Sequence, residues 1–230
     1  MNTKRIRVCL HNHTRFSRYG LSWIDDFRRV LDEKRIDKLA ITDHNTIEGA
    51  EAVQKELGKD RIIVGEEITT LAGDVIGLFL TEPVRPRLSL QETCIRIQDQ
   101  GGIVYIPHPD VKSGVSLAGL DQITKNIDIV EVYNGWSHIA VTGEKQRQLY
   151  WERLKAWCIR NGLPMVSASD SHYPKNIGRS YTEMEDFFCA GDLIDNIRED
   201  SIALVHEPNR FGLQAFPALC KGLCNNSSVF

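Results

Sequence analysis

The sequence predicts an α/β domain whose strands close, or nearly close, into a barrel. Short apolar runs alternate with amphipathic helical stretches from end to end, which is the pattern of βα units in a parallel sheet. About seven such units follow one another without an internal linker or a sequence repeat. Histidines or carboxylates also follow the runs directly, at His11, His13, His44, Glu67, His108 and Asp170. In an α/β barrel the positions just past the strands share one rim, so residues distant in the chain would meet there.

A strand over 6–10 opens the chain. Ser22-Trp23-Ile24-Asp25 reads as a capping box and starts a helix to about residue 34. A second strand covers 39–42 and a second helix 46–57. The third strand is expected over 62–64, and another run follows at 75–80. Ser89-Leu90-Gln91-Glu92 is a further capping box, with its helix stopped by Gly101-Gly102. Strand 103–106 follows, then an apolar run over 127–133 interrupted by Asp128 and Glu131. Residues 144–160 give the clearest helix, with Tyr150, Leu154, Trp157 and Cys158 on one face and Asn161-Gly162 at its end. Strands at 165–168, 181–184 and 202–205 and a helix near 193–197 complete the series. One domain is expected over 1–210, with a weakly patterned tail over 211–230.

Composition narrows the class. A chain of 230 residues can bury one sizeable core. Its 42% hydrophobic and 26% charged content is that of an ordinary soluble globular protein. A net charge of −3 leaves no basic footprint for a long nucleic acid. No apolar run approaches the roughly 20 residues of a membrane span. Lys4, Arg5 and Arg7 precede too short a run for a signal peptide. No cysteine sits in a CxxC pair, although Cys220 and Cys224 are one helical turn apart. Small buried thiols in a reducing cytoplasm are the expectation.

The chemistry lies in the histidines and acids. A His11-x-His13 pair on extended chain projects both imidazoles to one side, because side chains alternate with period two. Asp43 either anchors an imidazole nitrogen or caps the helix that begins at Thr46. Glu67 is the choice for a carboxylate that bridges two ions, with Glu66 as the alternative solvated neighbour; chemistry alone does not separate the two. Pro107 and Pro109 restrict the backbone around His108, which suits a rigid ligand loop. Asp170 and His172 at i, i+2 could serve different ions. His138 is a weaker candidate, and His206 reads as a surface residue. Nitrogen and carboxylate donors without thiolates suit zinc, manganese or iron, and argue against an iron–sulfur cluster.

Taken in order, His11-Asn12-His13-Thr14, Ile41-Thr42-Asp43-His44-Asn45-Thr46, Gly65-Glu66-Glu67-Ile68, His108-Pro109, Glu131-Val132-Tyr133-Asn134 and Ser169-Asp170-Ser171-His172 resemble the PHP (polymerase and histidinol phosphatase) superfamily. The resemblance runs from about residue 6 to about residue 184, and Gly77-Leu78-Phe79-Leu80 looks like its short stand-alone members. It implies a distorted seven-stranded, TIM-like β/α barrel, a two- or three-metal site and phosphoester hydrolysis. His11, His13, Glu67 and Asp170 would hold one ion. Glu67 and His108, with Asp74 nearby, would hold a second, and His44 and His172 a third. Relatives usually follow the first motif with Ser-Asp-Gly or Ser-x-Asp, whereas this chain reads Ser17-Arg18-Tyr19-Gly20. The third site is therefore expected to be weak, empty, or replaced by the Arg18 cation.

The expected activity is hydrolysis of a small phosphomonoester or nucleotide by a metal-bound hydroxide. His172 or His44, where not metal-bound, would protonate the leaving group. Arg179, Lys175 and Arg18 are the candidate phosphate clamps, Arg179 the best of them. Glu131 and Asn134 are expected to support the site or touch substrate. The competing readings are a 3′–5′ exonuclease or phosphodiesterase, a metal-dependent amide hydrolase, and a degenerate domain that binds metal or ligand without turnover.

Overall fold

Residues Ile6, Val8 and Leu10 alternate into the interior of a curved sheet, and each is almost wholly buried. The computed structural model describes residues 5–33, 35–111, 113–136, 143–198 and 202–210. His138, Cys220, Cys224 and the tail over 211–230 lie outside the described residues. The strands are β1 (Arg5–Cys9), β2 (Lys38–Ile41), β3 (Ile62–Thr69), β4 (Asp74–Leu78), β5 (Ile103–Ile106), β6 (Ile129–Asn134), β7 (Met165–Ala168), β8 (Tyr181–Glu185) and β9 (Ala203–Val205). The helices are α1 (Ile24–Asp32), α2 (Glu48–Leu57), α3 (Leu90–Gln98), α4 (Leu117–Leu120), α5 (Glu144–Asn161) and α6 (Ala190–Arg198).

The nine described strands form one sheet in the order β7-β6-β5-β4-β3-β2-β1-β8-β9, so the expected count of seven is corrected. The sheet is also mixed rather than parallel. β4 runs antiparallel to both β3 and β5, and β8 antiparallel to β1. Reversal of β4 brings its first residue, Asp74, opposite Thr69 near the end of β3. The sheet nearly closes on itself. The Ser167 amide of β7 donates to Thr182 Oγ1 of β8 at 3.0 Å, and Ser169 Oγ to the Ser180 carbonyl at 3.0 Å. At the rim the His13 amide donates to the Ser171 carbonyl at 2.9 Å, beside a parallel bridge between Asn12 and Ser171.

Two apolar cores flank the sheet. One fills the barrel with Val8, Ala40, Ile63, Ile76, Tyr105, Ile129 and Val166. The other lies between sheet and helices, and takes Phe27 and Val30 of α1, Val53 of α2, Ile97 of α3, and Leu154 and Trp157 of α5. Local signals place several helix ends as expected. Ser89 Oγ accepts from the Glu92 amide at 3.2 Å, and Gly162 ends α5 in the left-handed conformation at φ 64°. At α1 the cap is Trp23, one residue later than the motif suggests, and its amide donates to Asp26 at 3.0 Å.

Candidate metal centre

The rim residues arrive on backbone that is pinned or strained. His11 and His13 follow β1, where Asn12 is held between Thr42 and Ser171. His44 pairs with Glu67 in a parallel bridge, and Glu67 lies inside β3 rather than at its end. His108 (φ 29°) and Asp170 (φ 48°) both adopt positive φ, which is uncommon outside glycine and tends to mark functional sites. Pro109 steers His108 away from the right-handed helical region. Gly114 packs against the same turn so closely that a Cβ there would meet the His108 carbonyl oxygen at 2.0 Å.

The side chains converge. Glu67 Oε2 lies 3.3 Å from His11 Nε2, 3.2 Å from His13 Nε2 and 3.2 Å from His44 Nδ1. Its Oε1 lies 3.0 Å from His108 Nε2. Asp170 Oδ1 stands 3.5 Å from His11 Nε2, 3.2 Å from His13 Nε2 and 3.4 Å from His172 Nδ1. Three groups of donor atoms result, each within 4.8 Å: His11–Glu67–His108, His11–His13–Asp170 and His13–His44–His172. All these residues are buried except His44, whose side chain is 32% exposed.

A second ring of contacts orients the first. Glu131 Oε1 lies 3.3 Å from His11 Nδ1 and accepts from Tyr105 OH at 2.9 Å. Its Oε2 accepts the His108 amide at 2.9 Å and Asn134 Nδ2 at 2.8 Å. Asp43 neither caps α2 nor touches His44. It accepts the Thr14 amide and Ser17 Oγ at 2.7 Å each, and Thr14 Oγ1 at 2.6 Å, which organises the loop after His13. Sequence reading assigns no supporting role to Tyr105, Ser17 or Thr14, because apolar periodicity does not register hydrogen bonds made through side-chain hydroxyls.

Burial opposes charge on every imidazole here. At His11 the carboxylates of Asp170, Glu131 and Glu67 outweigh burial and hold the pKa well above its ordinary value. At His13 the neighbouring Asp170 and Glu67 carboxylates outweigh burial in the same way and raise it to about 9, and Glu67 raises His108. Burial and then the positive His13 push His172 down to about 3. His44 is lowered by burial as well. Glu67 and Asp170 are held low, since His44 and His11 at the first, and His11 and His13 at the second, outweigh burial. The downward shift at both His44 and His172 favours the neutral imidazole. A neutral imidazole offers a lone pair, which is what a ligand needs.

The substrate-side expectations fare unevenly. Arg179 is not a free clamp, because it pairs with Glu207 at 2.8 Å and donates to the Pro208 carbonyl at 3.0 Å. Asn134 is buried; besides Glu131, its amide donates to Asp170 Oδ2 at 3.1 Å and its oxygen accepts the Trp136 amide at 2.9 Å. These contacts brace the site. Arg18 and Lys175 are exposed, the former over the Tyr19 ring at 5.4 Å. Asp74 is buried nearby, its carboxyl pushed up to about 6 by burial and then by Glu67, but it joins none of the three donor groups. Glu66 is buried, not solvated, and accepts the Val84 amide at 2.7 Å. His206 stacks on Tyr133 away from the donor groups.

The donor set fits divalent metal. Two ligands on one tetrahedral ion at about 2.1 Å stand roughly 3.4 Å apart. The separations here run from 3.0 to 3.5 Å. His11 Nε2 faces His13 Nε2 at 3.2 Å, and Asp170 Oδ1 is buried beside both without a hydrogen bond. Lone pairs crowd in this way when they share a cation.

Comparison with known proteins now adds ancestry. The uncharacterized protein MJ1587 of Methanocaldococcus jannaschii is 36% identical over 170 residues, covering 67% of this chain and 98% of that protein. The uncharacterized protein MJ0417 of the same organism is 30% identical over 187 residues, covering 79% and 71% respectively. A family model described as PHP-associated matches residues 151–202, the segment that carries Asp170 and His172. The chain belongs to the PHP superfamily. Among solved structures, the PHP fold is matched by a two-domain protein from Bacteroides vulgatus containing a predicted PHP-like metal-dependent phosphoesterase. That match has a TM-score of 0.66 and 19% identity, over 95% of this chain and 70% of the other.

Proposed function

We propose that this PHP chain is a metal-dependent phosphoesterase acting on a small phosphomonoester or nucleotide. One observation carries the reading: His11, His13, Glu67, His108 and Asp170, drawn from four separate rim segments, turn their donor atoms toward one another at 3.0–3.5 Å. The phosphoesterase description of the Bacteroides vulgatus protein points to the same class. His11, His13, Glu67 and Asp170 would hold one ion, Glu67 and His108 a second, and His13, His44 and His172 a third. Ions held there would polarise phosphate oxygens, lower the pKa of water and neutralise developing charge.

The chain's own residues set the stage for that chemistry. Glu67 spans the first two positions with separate oxygens. Glu131 orients His11. His44 is the most exposed of the donors and stands where substrate would approach. Manganese, zinc or iron suit the mixed donors, and the all-nitrogen group at His13, His44 and His172 favours zinc over manganese. Arg18 and Lys175 are the exposed cations we assign to substrate phosphate. A cytoplasmic setting agrees with the four described cysteines, all free thiols. Among the described residues no helix is long and apolar enough to cross a membrane.

The test is metal content together with turnover. Freshly purified protein should carry manganese, zinc or iron. It should release phosphate from an aryl phosphate or nucleoside monophosphates, and His11→Ala should abolish release. A metal-replete protein inert across that panel would leave a binding domain without turnover. Attack on oligonucleotide ends alone would move the assignment to an exonuclease.

A further inference from the structure

We propose that the Ser17 hydroxyl, polarised by Asp43, is a positioning group that locks His13 in the one tautomer able to bind metal. The inference rests on the metal-centre reading and concerns a residue outside the ligand set. Ser17 Oγ has three neighbours and one proton. Asp43 Oδ1, at 2.7 Å, can only accept as a carboxylate, and the His44 amide, at 3.0 Å, can only donate. The serine proton therefore goes to Asp43. Both oxygen lone pairs are left to accept, one from His44 and the other from His13 Nδ1 at 3.0 Å. His13 Nδ1 must then carry hydrogen, and Nε2, which faces Glu67 Oε2 and Asp170 Oδ1 at 3.2 Å each, is the nitrogen left to give up its proton and bind metal.

The surroundings make the arrangement stiff. Ser17, Asp43 and His13 are all buried, so water cannot substitute for a missing partner. Asp43 is itself fixed by both the amide and the hydroxyl of Thr14. The Ser17 amide donates to the Thr14 carbonyl at 3.1 Å, which closes the loop on itself. The same hydroxyl that orients His13 also receives the His44 amide, so one oxygen couples two members of the His13–His44–His172 group.

Zinc binding to the full chain tests the inference without any substrate. Competition against a chromophoric chelator should show about 10- to 100-fold weaker zinc affinity in Ser17→Ala, the usual consequence of losing a group that orients a ligand. Ser17→Thr, which keeps the hydroxyl, should restore most of it. Ser22→Ala is the control from the same loop. Its buried hydroxyl has no partner, and its removal should leave zinc affinity unchanged. In zinc-loaded protein labelled at histidine nitrogens, His13 should show a slowly exchanging Nδ1 proton that Ser17→Ala abolishes. If Ser17→Ala does not fold, Asp43→Asn carries the test, with a smaller loss in the same direction. Unchanged zinc affinity and an unchanged His13 proton in Ser17→Ala would overturn the inference, as would wild-type protein that binds no zinc. Zinc binding that depends on Ser17 in a protein inert toward every phosphoester would uphold it and overturn the proposed activity alone.

Discussion

His11 and Glu131 are 120 residues apart in the chain and 3.3 Å apart in space. Glu131 sits on β6 with both oxygens committed, to His11 and Tyr105 on one side and to the His108 amide and Asn134 on the other. Glu131→Gln turns one acceptor oxygen into a donor and leaves at least one buried donor unpaired. A stability loss of about 1–3 kcal/mol should follow in thermal melts. Zinc affinity should fall about 10- to 100-fold in the chelator assay. Wild-type values for both would remove Glu131 from any supporting role.

Glu67 touches four imidazoles, while Asp74, though buried close by, joins no donor group. Glu67→Gln should therefore strip bound metal after dialysis, as read by elemental analysis. Asp74→Asn should retain it at the wild-type ratio. Equal losses in the two variants would mean that Asp74 is a ligand.

Chelator-treated protein should be most stable near pH 6–7. His13, raised to about 9, contributes stability in full below its ordinary value near 6.5, and that contribution disappears as pH climbs towards 9. His172, pushed down to about 3, contributes above its ordinary value and loses that contribution as pH falls from about 6.5 towards 3. Glu67 and Asp170 are depressed, so acid below the usual carboxylate range removes their share too. Melting temperature should decline on both sides of the maximum, and a flat profile from pH 5 to 9 would refute this charge balance.

Gly49 is the test of how closely α2 packs on the loop after His13. An alanine in a helix ordinarily gains up to about 1 kcal/mol over glycine. Here its Cβ would meet Asp43 Oδ2 at 2.0 Å and Thr14 Oγ1 at 2.5 Å. Overpacking of about 1–3 kcal/mol should win, so Gly49→Ala should lower the melting temperature. A rise would show that the helix can shift without disturbing Asp43.

Arg179→Ala should leave the KM of any phosphoester substrate unchanged, since its guanidinium is engaged by Glu207 and Pro208. The Glu207 side chain is 56% exposed, so loss of the pair should cost no more than about 1 kcal/mol. A tenfold rise in KM would return Arg179 to the substrate side.

The histidines and acids were legible because each follows or interrupts an apolar run, and a barrel rim gathers such positions. The reversal of β4 was not. Buried Glu66 and Glu67 interrupt the hydrophobic pattern of β3, so the strand reads as ending at residue 64 when it runs to Thr69. The apparent gap before residue 75 then hides a tight hairpin. A connection of only four residues between Thr69 and Asp74 forces antiparallel pairing. The setting of Arg179 was hidden for a different reason. Its closeness to Asp170 and His172 in sequence gave no sign of the ion pair with Glu207, 28 positions onward. Tyr105 and Ser17 act on imidazoles through space, and apolar periodicity carries no trace of that.

The seam where β7 meets β8 is joined by hydroxyl groups rather than by a full ladder. Asp170 and His172 hang from one side of that seam, His11 and His13 from the other. A cation gripped by both would act as a clasp, fastening the edge of the sheet at the place where backbone pairing is thinnest. Breathing of the barrel and loosening of the cation would then be a single motion.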